Sequence, residues 1–206
     1  MKRIFKYIYR KSIFQFIRKI VKFKYKYQTT TNNLSIISSN CLAGCIYSDL
    51  GKEFLSPTIN TFFYAECFIK FCEHLDYYLS LDLKEAKYSK YIDKTDYPVG
   101  VLDNIEIHFL HYSSFADAYE KWNNRKKKVN YNNIRFLMTD RDGFNKNIGS
   151  RFDLLPGKKN IIFTANKYYL QDEVYCKLEK GIISSDFTSF RKYEKYINIV
   201  DWFDEK

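Results

Sequence analysis

Apolar residues along the chain switch between two spacings, and the switches mark alternating strands and helices. "LSIIS" (34–38) is a compact β-rich run. After three small polar residues, "CLAGCIYSDL" predicts a helix from Cys41 to Leu50, stopped by Gly51. Phe68, Cys72, Leu75 and Leu79 recur at helical spacing and predict one amphipathic helix over 65–80, with "LDLK" (81–84) opening a further strand. "DYPVGVLDN" (96–104) carries turn residues. "IEIHFLHY" (105–112) then alternates with period two: Ile105, Ile107, Phe109 and His111 share one face, Glu106, His108, Leu110 and Tyr112 the other. Ser114 with Asp117 three residues on resembles a capping box, ahead of a helix that carries Phe115, Ala118, Tyr119 and Trp122.

Two more strand-like runs, "IRFLM" (134–138) and "IIFTA" (161–165), flank the "TDRDG" loop (139–143), a short helical stretch near 145–155 and the "PGKKN" turn. The tail from Arg191 to Phe203 places Tyr193, Tyr196, Ile197, Val200 and Phe203 on one helical face. This alternation predicts a single α/β domain over 34–206. Its sheet is mostly parallel and flanked by helices in a Rossmann-like three-layer arrangement.

Charge separates the first residues from that domain. Of 34 basic side chains ten fall within residues 1–26, where there is no acid, leaving 24 bases against 24 acids in the remainder. The net charge of +10 therefore belongs to the leader, and no nucleic-acid partner is expected from it. Its apolar and basic residues are interleaved, with no run near the ~20 apolar residues of a spanning helix and no signal-peptide core. Such a segment can lie on an anionic membrane surface, so residues 1–27 are expected to give peripheral contact, with "TTTNN" (29–33) as the hinge closing a segment over 1–33. Five cysteines, an odd number without a CxxC pair or a secretory signal, point to a reduced cytoplasmic compartment.

Ligands of open parallel sheets collect beyond the strand C-termini. That rule selects Ser38 to Cys45, His111 to Ser114 and Thr139 to Gly143. At the first turn Ser38, Ser39 or Cys41 is a candidate nucleophile, since free helix N–H groups bind anions and lower a thiol pKa; Asn40 offers an oxyanion donor. A capped helix with inward-packed cysteines explains the same residues. Zinc on Cys41 and Cys45 with His108 or His111 lacks an evident full ligand set. His111 closes its strand and is the better candidate for a general base, whereas His108 lies within the strand. Asp140 and Asp142, around Arg141, suit orienting a histidine, binding a divalent metal, contacting sugar hydroxyls, or simply an Asp-Gly turn. No GxGxxG, P-loop, HExxH or GxSxG motif is present.

Taken in order, "SNC", "IYSDLG", "LSPTINTFF", "YPVGVLDNIEIHFLHY", "EKWNNRKKKVNYNNI", "TDRDG" and "IIFTA" resemble a bacterial family of unknown function often labelled exopolysaccharide biosynthesis protein. The resemblance covers Leu34 to Asn166. It implies an accessory role in capsule, exopolysaccharide or lipopolysaccharide assembly, with a sugar or lipid-linked precursor as partner. The expectation drawn from both lines is a transferase, by acyl transfer from acyl-coenzyme A. In it Ser39, Cys41 or the substrate hydroxyl attacks, His111 is base, Asp140 or Asp142 orients it, Asn40 holds the oxyanion, and Arg125, Lys126, Lys127 and Lys128 meet phosphates. A metal-assisted glycosyl- or phospho-transferase and a non-catalytic assembly protein at the membrane are the alternatives.

Overall fold

A computed structural model describes residues 14–204. Helix α1 (Phe14–Gln28) leads into β1 (Ser35–Ser38) and α2 (Leu42–Leu50). Then come α3 (Ala65–Glu73) and α4 (Leu75–Ser80), followed by β2 (Lys84–Glu85), β3 (Val99–Leu102), β4 (Ile105–His108) and α5 (Phe115–Lys126). The second half holds β5 (Ile134–Thr139), α6 (Lys146–Phe152), β6 (Ile161–Thr164), β7 (Glu173–Tyr175) and α7 (Asp186–Ser189). A 3₁₀ turn, Lys192–Lys195, precedes the last helix, α8 (Ile199–Asp204).

The fold is mixed α/β. Strands β1, β5, β6 and β7 form a wholly parallel sheet in that order, and β2, β3 and β4 form a separate antiparallel sheet. Because the parallel strands follow one another in chain order, the sheet lacks the order reversal that opens a ligand crevice in a doubly wound Rossmann sheet. Side chains alternate between its two covered faces. Ile37, Phe136, Met138 and Ile162 join a core with α3, α4, α5, α6 and the apolar face of β4. Ile36, Leu137, Ile161 and Phe163 join another with α2, Phe187, Tyr193 and α8. Strands buried on both faces explain the continuous apolar runs in the sequence.

Strand β1 is an edge, and an unpaired edge invites pairing with another chain. Here side chains close it: the Tyr47 hydroxyl accepts from Ile36 N and donates to Leu34 O, both at 2.8 Å, and Thr58 Oγ1 accepts from Ser38 N at 3.0 Å. Tyr47→Phe strands one buried donor and one buried acceptor, so urea unfolding is expected to show a loss of about 1–3 kcal/mol. A loss below a few tenths would mean that water replaces the hydroxyl.

Local rules account for several boundaries. Gly51 ends α2 with φ 65°, a left-handed position that donates back to Tyr47 O. Ser114 Oγ accepts Asp117 N at 3.2 Å and starts α5. The single helix expected over 65–80 is instead two, broken where His74 leaves helical geometry at φ −128° and ψ 44°. The antiparallel strand β3 lies between Pro98 and Asp103-Asn104, the turn residues that hide it in the sequence. Its Gly100 is needed, since a Cβ there would stand 2.7 Å from Leu83 and 2.8 Å from Phe109.

Helix α1 is attached to the domain and its side chains face two ways. Arg18 is buried and donates to Asp49 at 2.6 Å and to Glu194 at 2.7 Å; Arg191 reaches the same Asp49 carboxylate at 2.8 Å. The expected hinge is also held. Asp204 accepts from the backbone N–H groups of Thr30 and Thr31, and Lys52 donates to Thr29 O.

Candidate functional site

The end of β1 turns through Ser39 and Asn40 into α2. Asn40 ties this turn to the next strand: its carbonyl oxygen accepts from Leu42 N at 3.1 Å and its amide donates to Thr139 Oγ1 at 3.0 Å. The second amide N–H has no partner among the described residues. Beyond β5 the chain turns sharply through Asp142 (φ 55°) and Gly143 (φ 88°), which the Asp-Gly pair tolerates. The Asp142 carbonyl accepts the backbone N–H of Ala65 at 2.8 Å, a free donor at the start of α3.

Residues 61–64 lie between these turns and the antiparallel sheet. Phe63 N donates to Ser39 O, while Phe62 and His108 exchange backbone bonds at 2.8 and 2.9 Å. Asn40, Tyr64 and Asp142 are thus brought together by backbone contacts from three separate stretches. The half-buried rings of Phe62, Tyr64 and Tyr97 surround His108. Phe62 stacks on the imidazole at 4.4 Å, with Tyr64 and Tyr97 edge-on at 5.4 and 5.9 Å. Tyr91 stacks on Tyr64 at 3.9 Å.

Electrostatics mark the same place. Burial pushes the Asp142 carboxyl pKa up, against the pull of Arg141. Burial also raises the Tyr64 phenol, with the Asp142 carboxylate as the next cause, and Asp142 contributes to the rise at Tyr97. His108 is fully buried and neither ring nitrogen has a hydrogen-bond partner; Glu106 Oε2 lies 3.5 Å from Nε2. Burial lowers this imidazole to about 4, despite the neighbouring carboxylate. Glu106 itself is held by Ser89 Oγ at 2.8 Å and Lys90 N at 2.7 Å.

Several residues selected from sequence stand elsewhere. Strand β4 ends at His108, so His111 sits in an exposed turn rather than at the strand end. The Cys41 thiol donates to Thr61 O at 3.8 Å, and burial pushes its pKa up to about 12, the opposite of an activated thiolate. Ser39 is buried. The Asp140 carboxylate accepts from Ala165 N at 2.7 Å and Ile183 N at 2.8 Å, fastening β5 to β6 and the 183 segment rather than orienting a histidine.

The basic run lies at the other end of the sheet, since it precedes the start of β5, and Asn130 beside it donates to Ser35 Oγ at the start of β1. Arg125 bonds the Tyr112 hydroxyl, Lys126 bonds Leu81 O and Lys128 pairs with Glu53, leaving Lys127 exposed. Among the described residues no three His, Cys, Asp or Glu side chains are grouped to hold a metal ion, so Cys41 and Cys45 do not complete a zinc site and the "DRD" loop offers no closed ligand set. Hollows of about 730 and 790 Å³ occur at the α1–C-terminal junction and beside the α3–α4 break; neither contains these strand-end residues.

Sequence reasoning passed over Phe62, Tyr64 and Tyr97 and ranked His108 below His111. The available signal was the Glu106–His108 spacing: two polar residues on the second face of a strand whose first face is core require a cover, and "TFFY" supplies it.

The fold and site define an α/β protein with a half-buried aromatic and carboxylate cluster at the C-terminal edge of a parallel sheet. The chain belongs to a domain family of unknown function, DUF1919, which matches residues 12–204. It is 34% identical over 181 residues to an uncharacterized protein of Haemophilus influenzae, covering 84% of this chain and 85% of that protein.

Proposed function

We propose that the protein is a transferase that recognises a sugar of a cell-surface polysaccharide precursor and acylates it by direct attack of the sugar hydroxyl. The observation that carries this reading is the meeting of Phe62, Tyr64 and Tyr97 with Asp142, next to the turn that holds Asn40. Aromatic faces pack against the C–H face of a pyranose, and short polar groups beside them fix its hydroxyls. Two covered sheet faces suit a variant three-layer architecture, with the ligand at the strand ends.

In this mechanism Asp142 accepts the hydroxyl proton, a task its raised pKa favours. The sugar oxygen bonds to the carbonyl carbon of an acyl thioester, the C–S bond breaks, and the thiolate leaves with the electron pair. In this reading the second Asn40 amide N–H donates to the tetrahedral oxyanion. No protein thiol takes part, in keeping with the high pKa of Cys41.

The test is complementation of a deletion strain, read as acyl content of its surface polysaccharide by mass spectrometry. Asp142→Asn is expected to lower acylation by about a hundredfold or more, the range of a lost general base, while Cys41→Ser leaves it intact. Full acylation by both Asp142→Asn and Tyr64→Ala would reject the site. Loss with Tyr64→Ala alone would favour sugar binding without catalysis.

A further inference from the structure

Helix α1 carries an apolar stripe that nothing in the domain covers. Phe16, Ile20, Phe23 and Tyr27 recur at i, i+4, i+7 and i+11, with Ile17 beside them, and all are between 44% and 73% exposed. The opposite side, through Phe14, Arg18 and Tyr25, is turned to the domain, and Arg18 is locked there by Asp49 and Glu194. The ion pairs therefore fix which side of the helix looks outward. Residues spaced this way lie on one face of an α-helix.

Charge identifies the occupant. Lys19, Lys24 and Lys26 are exposed at the margins of the stripe, and Lys2, Arg3, Lys6, Arg10 and Lys11 precede it in sequence. No acidic residue occurs before Asp49, so nothing in this stretch repels an anionic surface. Among the described residues no helix, α1 included, is long and apolar enough to cross a bilayer. We propose that α1 is an interfacial anchor: its stripe enters the acyl boundary of an anionic lipid surface while the flanking bases meet the phosphates. A second copy of the chain would bring the two uniformly basic helices together, which like-charge repulsion opposes.

Vesicle sedimentation with the full-length protein tests this independently of the sugar site. The wild type is expected to bind phosphatidylcholine vesicles containing phosphatidylglycerol, to bind phosphatidylcholine alone weakly, and to be released by salt. Phe16→Ser, Ile20→Ser and Phe23→Ser combined lower the partition coefficient roughly tenfold or more with an unchanged circular dichroism spectrum, because these side chains are exposed. Lys19→Gln, Lys24→Gln and Lys26→Gln combined weaken the preference for the anionic vesicles, and Lys2, Arg3, Lys6, Arg10 and Lys11 keep the remainder. Equal binding of wild type to both vesicle types, or to neither, overturns the proposal. So does a stripe variant that keeps its vesicle binding but changes from dimer to monomer in sedimentation velocity, which would assign the stripe to a second copy.

Discussion

Asp49→Ala is expected to lower the unfolding free energy by about 3–5 kcal/mol, the cost of breaking a buried ion pair from one side. The carboxylate is 1% exposed and faces two guanidinium groups, Arg18 at 2.6 Å and Arg191 at 2.8 Å, with Lys22 at 3.5 Å. Removing it leaves the buried Arg18 with Glu194 alone and Arg191 with backbone acceptors at Thr188 and Ser189. Arg191 is placed for this role at φ 53°, a strained left-handed position for a long side chain. Urea denaturation gives the free energy, and limited trypsin digestion locates the damage, with cleavage first in α1. Arg18→Met is expected to cost less, since Arg191 still neutralises Asp49. If Asp49→Ala unfolds with the wild-type midpoint and α1 stays protected, the cluster does not hold the helix.

That cluster also shows what the sequence hides. A helical wheel spreads the apolar residues of the leader around most of the circle. Over Phe14–Gln28 the structure sorts them into two faces, one on the domain and one outward. A hydrophobic pattern cannot say which apolar residues find partners, because Asp49, Arg191 and Glu194 lie far along the chain. By contrast, β1, β5, β6, α2 and α5 were legible, since buried parallel strands and capped helices leave local signals. The tail was half legible. Tyr193, Tyr196, Ile197, Val200 and Phe203 all reach the core, through a 3₁₀ turn and a short helix rather than one continuous helix.

For the site, strand order told where to look and chemistry type did not. Asn40 and Asp142 follow directly from the ends of β1 and β5. The sequence ranks His111 above His108 by assuming that the strand runs through residue 112. The chain turns after His108 because residues 61–64 pair with it there. Cys41 sits at a helix start, where a thiol would be activated, but Thr61 and its surroundings desolvate it. These outcomes depend on long-range cover, which residue spacing does not encode.

The second large effect is acid sensitivity centred on His108. Its pKa is lowered to about 4 in the fold, against 6.5 for an ordinary histidine. Between those values the unfolded chain binds the proton and the folded one does not, so stability falls as pH falls. The contribution is fully present above pH about 6.5 and is lost progressively toward pH about 4, amounting to about 3 kcal/mol from the difference in pKa. Below that range both states carry the proton and this group adds no further slope. Glu106 lies 3.5 Å away, so a paired comparison isolates the imidazole. His108→Gln keeps a polar side chain on β4 but cannot titrate, and its urea stability is expected to run nearly flat where the wild type declines. A wild type and variant with parallel pH profiles would mean that the imidazole takes up its proton as readily in the fold as in the unfolded chain. The aromatic cover from Phe62, Tyr64 and Tyr97 would then not be closed, and the same rings could not present a dry face to a sugar.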